Sequence, residues 1–195
     1  MPAFTKPFGL VPVNRADGLP YAGATREFKI SSGYATALRQ GDVVGIASGV
    51  IAKETGTTSV TSGGVIGVFI GCSYTDATLG KTFRTNWTAG TVAADAVAIV
   101  VDDPDVLFRA VYVSSGTTVS AQTAAAVIGK NVALVQNTTA TSVSDVAVGS
   151  AATTNTLPLR VVDVDYDSAA SSTTYTAVFV KWNATMHAYN NILGT

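Results

Sequence analysis

The apolar runs in this chain are short, rich in β-branched residues, and repeatedly cut by Gly, Ser, Thr, Asn and Asp. The longest, Val65–Cys72 and Ala96–Val101, fall far below the ~18–20 residues of a membrane-crossing helix. Runs of this kind suit strands, because a branched Cβ packs well on a pleated surface and crowds a helix. Arg26–Ile30 alternates, with Phe28 and Ile30 on one face and Glu27 and Lys29 on the other. Asp42–Ala47 and Gly49–Glu54 flank Ser48-Gly49 as a hairpin would. Val65–Tyr74 is apolar on both faces, as a buried strand is. Thr82–Trp87, Ala96–Val101, Leu107–Val113, Val132–Gln136, Val143–Val148, Leu157–Tyr166 and Thr174–Trp182 complete about a dozen strands. The expected fold is all-β, a sandwich or barrel body. One short helix is expected, Ala121–Ile128, capped by Ser120 and stopped by Gly129. The tail Ala184–Ile192 fits neither period. Asn137–Ser142, Ser150–Thr156 and Ser168–Thr173 read as exposed loops rich in small and hydroxyl residues.

The first 24 residues have a different texture. Four of the six prolines lie there: Pro2, Pro7, Pro12 and Pro20. Proline lacks an N–H and fixes φ, so this segment can be neither a helix nor a central strand. It is expected to form an extended N-terminal arm (residues 1–24), with a turn at Asp17-Gly18, carrying Phe4, Phe8 and Tyr21 as apolar anchors. Those anchors either belt the chain's own body or seat on a neighbouring subunit or surface. Residues 25–195 form the β body, with a modest shift near Gly116 suggesting a boundary between two lobes.

Charge is sparse. There are 12 basic and 13 acidic residues, 13% of the chain against ~25% in ordinary soluble domains. Ala, Val and Thr instead number 29, 27 and 27. A net charge of −1 supplies no field to attract nucleic acid or an anionic membrane. The same sparseness gives thin cover to a free monomer: about one charge per 350 Å² of an expected ~8,700 Å² surface. Much of that surface is therefore expected to lie against other subunits.

No nucleophile elbow, phosphate loop or dinucleotide fingerprint is present. His187 is the only histidine and Cys72 the only cysteine, so neither a histidine-rich zinc site nor a disulfide framework can form. His187, near the end of the sequence, reads as a surface or interface residue. Cys72, inside an apolar run, reads as an inert core thiol. Asp102-Asp103-Pro104-Asp105 reads as a turn between strands. Asp163, Asp165 and Asp167 would line one face of a strand at roughly 6.6–6.8 Å spacing, too wide for neighbouring ligands of one calcium ion. No catalytic residue, metal or cofactor is expected. With one cysteine and no apolar leader in Met1–Pro7, folding in the cytoplasm is the default expectation.

Seven segments carry a resemblance. They are Phe8–Val13 (FGLVPV), Gly18–Ala24 (GLPYAGA), Gly41–Val44 (GDVV), Val101–Phe108 (VDDPDVLF), Ile128–Asn131 (IGKN), Leu157–Arg160 (LPLR) and Val178–Asn183 (VFVKWN). In this order and spacing the chain resembles the capsid decoration, or cement, proteins of tailed bacteriophages. Its ending, Met186–Asn191, differs from the short polar ending of that family. The resemblance implies a non-enzymatic virion protein, made in the host cytoplasm and usually trimeric. Such a protein binds the major capsid protein on the outer shell and locks neighbouring capsomers. Other phage structural parts, such as a tail or fibre component, stay open as alternatives. So does a small β-barrel binding module or hydrolase.

Overall fold

The computed structural model describes residues 4–60, 63–137, 143–168 and 175–191. It is an all-β protein, with fourteen strands among the described residues. In chain order they are β1 (Val11–Arg15), β2 (Arg26–Lys29), β3 (Leu38–Arg39), β4 (Val43–Ala47), β5 (Val50–Lys53), β6 (Val65–Asp76) and β7 (Gly80–Arg84). β8 (Asn86–Trp87), β9 (Val97–Val101), β10 (Val106–Val113), β11 (Asn131–Val135), β12 (Ala147–Ala152), β13 (Leu159–Val164) and β14 (Thr176–Trp182) follow.

The strands sort into two lobes. In the first, β2-β9-β6-β4-β5 form one antiparallel sheet, with β7 added along the far half of β6 and β3-β8 as a separate pair. In the second, β10-β12-β11-β13-β14 close on themselves through β14–β10, making a five-stranded barrel. β1 from the arm joins its rim by pairing with β10. The change of lobe falls in the Asp102–Asp105 turn between β9 and β10, rather than near Gly116, which lies in a turn just beyond β10. Composition hides this boundary because β9 and β10 are both strongly apolar.

Two core clusters match the two sheets. Phe69, Ile30, Leu38, Ile51, Ile66 and Trp87 fill the first lobe. Phe108, Leu134, Leu159, Val180 and Trp182 fill the barrel. The barrel cluster also takes in Leu10 from the arm and Val43, Val65 and Val68 from the first lobe, so apolar packing is continuous across the junction.

Local chemistry accounts for several details. Ser48 (φ 51°) and Gly49 (φ 79°) both adopt positive φ, the two-residue turn whose twist matches a hairpin. β1 carries Pro12 and sits at the sheet edge, where a missing N–H is tolerated. The expected helix shrinks to Ala124–Val127, preceded by Thr123 rather than Ser120. Its first turn is lost to tertiary contacts: Val119 bridges Val113, and the Gln122 amide donates to Thr176 Oγ1 at 3.1 Å. The strand expected at Val143–Val148 instead runs Ala147–Ala152. Residues before it are drawn across the junction, where the Ser144 amide donates to the Gln40 carbonyl and the Val146 carbonyl accepts from Gly9, both at 3.0 Å. The loop expectations at residues 138–142 and 169–173 lie outside the described residues.

Candidate interaction surface and lobe junction

The arm does not run free from residue 4 onward. Phe4 bridges Tyr175, and its ring lies 5.1 Å from that of Phe8 and under the Arg109 guanidinium at 4.5 Å. Both rings are partly buried against Val111, Val113, Ala147 and Tyr175. Leu10 is 1% exposed within the barrel cluster. Tyr21 is partly buried against the same cluster, and its hydroxyl donates to the Ala24 carbonyl at 3.0 Å. All three sequence-selected anchors, Phe4, Phe8 and Tyr21, therefore touch their own chain, and each keeps part of its surface exposed. Residues 16–20, between Phe8 and Tyr21, and residues 22–24, after Tyr21, are exposed.

Where the arm enters, two backbones cross. The Leu10 amide donates to the Gly41 carbonyl at 3.0 Å, and the Gly41 amide donates to the Phe69 carbonyl at 2.8 Å. A Cβ on Gly9 would sit 2.7 Å from both the Gly41 oxygen and Ser144 Cβ, so only glycine fits. The arm is thus threaded between the lobes, and the segments that cross there, Phe8–Val13 and Gly41–Val44, are far apart in sequence. Beside this crossing a cleft of about 240 Å³ is lined by Phe8, Leu10, Pro12, Ile70 and Val143.

The Asp102–Asp105 turn is a tie point. The Asp105 amide donates to Asp103 Oδ1 at 2.9 Å, closing the turn on itself. Asp103 pairs with Arg15 of the arm, Asp102 with Arg26 Nε at 3.1 Å, and Asp105 with Lys181 Nζ at 3.9 Å. The Tyr189 hydroxyl donates to Asp102. Burial and this contact push the tyrosine's pKa up to about 12. The arm, through Arg15, and the segment after β14, through Tyr189, are therefore both tied to the lobe boundary.

His187, expected as a surface or interface residue, is instead fully buried within its own chain. The segment after β14 crosses onto the first lobe, where the Ala188 amide donates to the Val65 carbonyl at 2.7 Å. The ring stacks edge-on to Tyr189 at 5.1 Å and lies 6.4 Å from Trp182, while Nδ1 accepts the Tyr189 amide at 3.3 Å. Burial pushes its pKa below the ordinary value; Asp102, the Ile66 backbone, Asp103 and Asp105 pull the other way without offsetting it. The sequence signal was the aromatic company it keeps, His187 and Tyr189 alternating past Trp182.

The remaining candidates stay apart. Cys72 is buried, its pKa pushed up to about 11 by desolvation. Asp165 pairs with Arg109, Asp163 accepts the Val164 amide at 2.8 Å, and Asp167 lies within a 3₁₀ turn over Tyr166–Ser168. A register shift between Val161 and Asp163 breaks the straight strand face on which the three were expected. Among the described residues no group of three or more His, Cys, Asp or Glu side chains is placed to hold a metal ion.

The molecule exposes 9007 Å², about one charged residue per 360 Å². Six of its twelve basic residues (Arg15, Arg26, Lys53, Lys81, Arg109 and Lys181) are engaged in ion pairs within the chain. Comparison with protein-family models, curated proteins and solved structures found no match to this chain.

Proposed function

We propose that this chain is a structural virion protein that binds the outer surface of a tailed-phage capsid and stabilises contacts between capsomers. The observation that carries this reading is the convergence of the segments bearing the family resemblance. Phe8–Val13 crosses Gly41–Val44 at the Gly9–Gly41 contact and pairs with Arg109 and Phe108 on β10. Phe108 in turn pairs with Val180, Leu159 with Trp182, and Asn131 with Arg160. Six segments scattered over the sequence thus form one hydrogen-bonded framework, and Tyr21 of the seventh packs on its core. The resemblance is thus carried by segments that build the framework of the molecule, which supports taking the decoration role from it.

The sparse and internally paired charge supports the same reading. A surface that neither steers nor repels ions suits close seating on other protein. The exposed faces of Phe4, Phe8 and Tyr21 are the proposed contact with the major capsid protein or a neighbouring subunit, and the assembled unit is a homotrimer. Images of native particles with and without the protein test this. The protein-containing shells should carry added density on the outer surface in clusters of three, and density absent from the shell or confined to the tail contradicts the proposal.

A further inference from the structure

We infer that the β7 edge is a two-fold self-association surface, through which two copies of this chain pair β7 against β7. Within the described residues β7 has β6 as its only strand partner, so its outer edge carries unpaired backbone groups. Its sequence, Gly80-Lys81-Thr82-Phe83-Arg84, is complementary to itself when two copies run antiparallel about Thr82. In that register Thr82 faces Thr82, Phe83 faces Lys81, and Arg84 faces Gly80.

Two of these pairings meet something already in place. Gly80 lies opposite Asp76 of β6, so the second copy's Arg84 falls in the same row as Asp76, about 10 Å away Cα to Cα. The intervening glycine has no side chain, which leaves the long arginine a clear path to the carboxylate. Asp76 Oδ1 already accepts the Thr78 and Leu79 amides, which holds the carboxylate in place at the turn. Lys81, which would otherwise guard an edge strand by its charge, is tied to Asp95 at 3.3 Å. Its aliphatic stem is left as a seat for the second Phe83, which is 62% exposed.

Shape agrees with charge. The antiparallel register carries the second copy's Leu79, 66% exposed at the hairpin tip, past Arg84 to Thr85. There a hollow of about 390 Å³ opens, lined by Phe83, Arg84, Thr85, Asn86 and Thr88. A two-fold contact uses the same patch twice, so knob and hollow each occur twice. This contact requires only the free chain and does not rest on the capsid reading. It is also compatible with a trimer, which it would join to the next.

Two measurements on the full-length chain test the contact. Thr82→Cys places two thiols face to face, at the Cβ separation of a directly opposed pair. Cys72 is buried and does not compete. Thr82→Cys should form a disulfide-linked dimer at least tenfold faster than Thr78→Cys, at the exposed hairpin tip. By sedimentation, Arg84→Glu should raise the concentration needed for association at least tenfold. Adding Asp76→Asn, which keeps the turn but removes the repelling charge, should recover part of that loss. Equal cross-linking at both positions, or association indifferent to Arg84→Glu, overturns the contact. So does a chain that never self-associates but loses shell binding on Arg84→Glu, which would assign the edge to a different protein.

Discussion

At the scale of single residues, the junction depends on atoms that are absent and on one proton. A methyl group on Gly9 collides with Gly41 and Ser144, and φ of +78° already disfavours any L side chain there. Gly33 has a similar φ of +76° with nothing near its Cβ position, so it isolates the conformational cost. Gly33→Ala is therefore expected to cost about 1 kcal/mol. Gly9→Ala should cost about 1–3 kcal/mol more, as overpacked sites do. Denaturant unfolding measures both. The proton belongs to His187. Its pKa is lowered on folding, so the unfolded chain binds the proton more readily than the folded one. Stability from this group is complete above the unfolded value of about 6.5 and is lost as pH falls through the lower folded value. Melting temperatures followed from pH 7.5 to 5 should decline, and His187→Gln should flatten that decline. As the chain's only histidine, it also gives a single imidazole NMR titration to compare.

At the scale of elements, what was legible followed from periodicity and what was not followed from tertiary contacts. The β2, β4–β5, β6 and β9 segments were readable because alternation, a Ser-Gly turn and unbroken Val/Ile runs are local signals. The β12 register, the short helix and the lobe boundary were not, because partners far along the chain decide each. Gln40 and Gly9 capture the residues before β12, and Thr176 unwinds the helix start. The candidate site divides the same way. Phe4, Phe8 and Tyr21 could be selected from an apolar, proline-rich arm, but nothing local told that Leu10 would be a core residue. That residue changes what the arm can do. Deleting residues 1–16 removes β1, Leu10 and the Arg15–Asp103 pair, and should destabilise the barrel severely. Phe4→Ala with Phe8→Ala removes only two partly buried rings. The doubly substituted chain should remain folded, with a loss of about 2–4 kcal/mol from the apolar area given up. Circular dichroism and thermal melts compare the two. A stable, cooperative 17–195 fragment would show that the arm is separable from the core.

At the scale of the whole molecule, the two lobes, the threaded arm and the pinned C-terminal segment make one mechanically continuous body. Backbone hydrogen bonds donated by Gly9, Leu10, Ser144 and Ala188 join its parts. That is the property a clamp across capsomer seams needs. Shells open by separating capsomers under the outward pressure of packed DNA. A protein that binds across the seam adds its binding free energy to the closed shell and none to the open one. The most direct measurement is DNA release from otherwise identical particles, with and without this protein, followed by dye fluorescence on heating and after osmotic shock. The account predicts release at a lower temperature and after milder shock from particles that lack it, with recovery when purified protein is added back. Equal robustness of the two kinds of particle would contradict it.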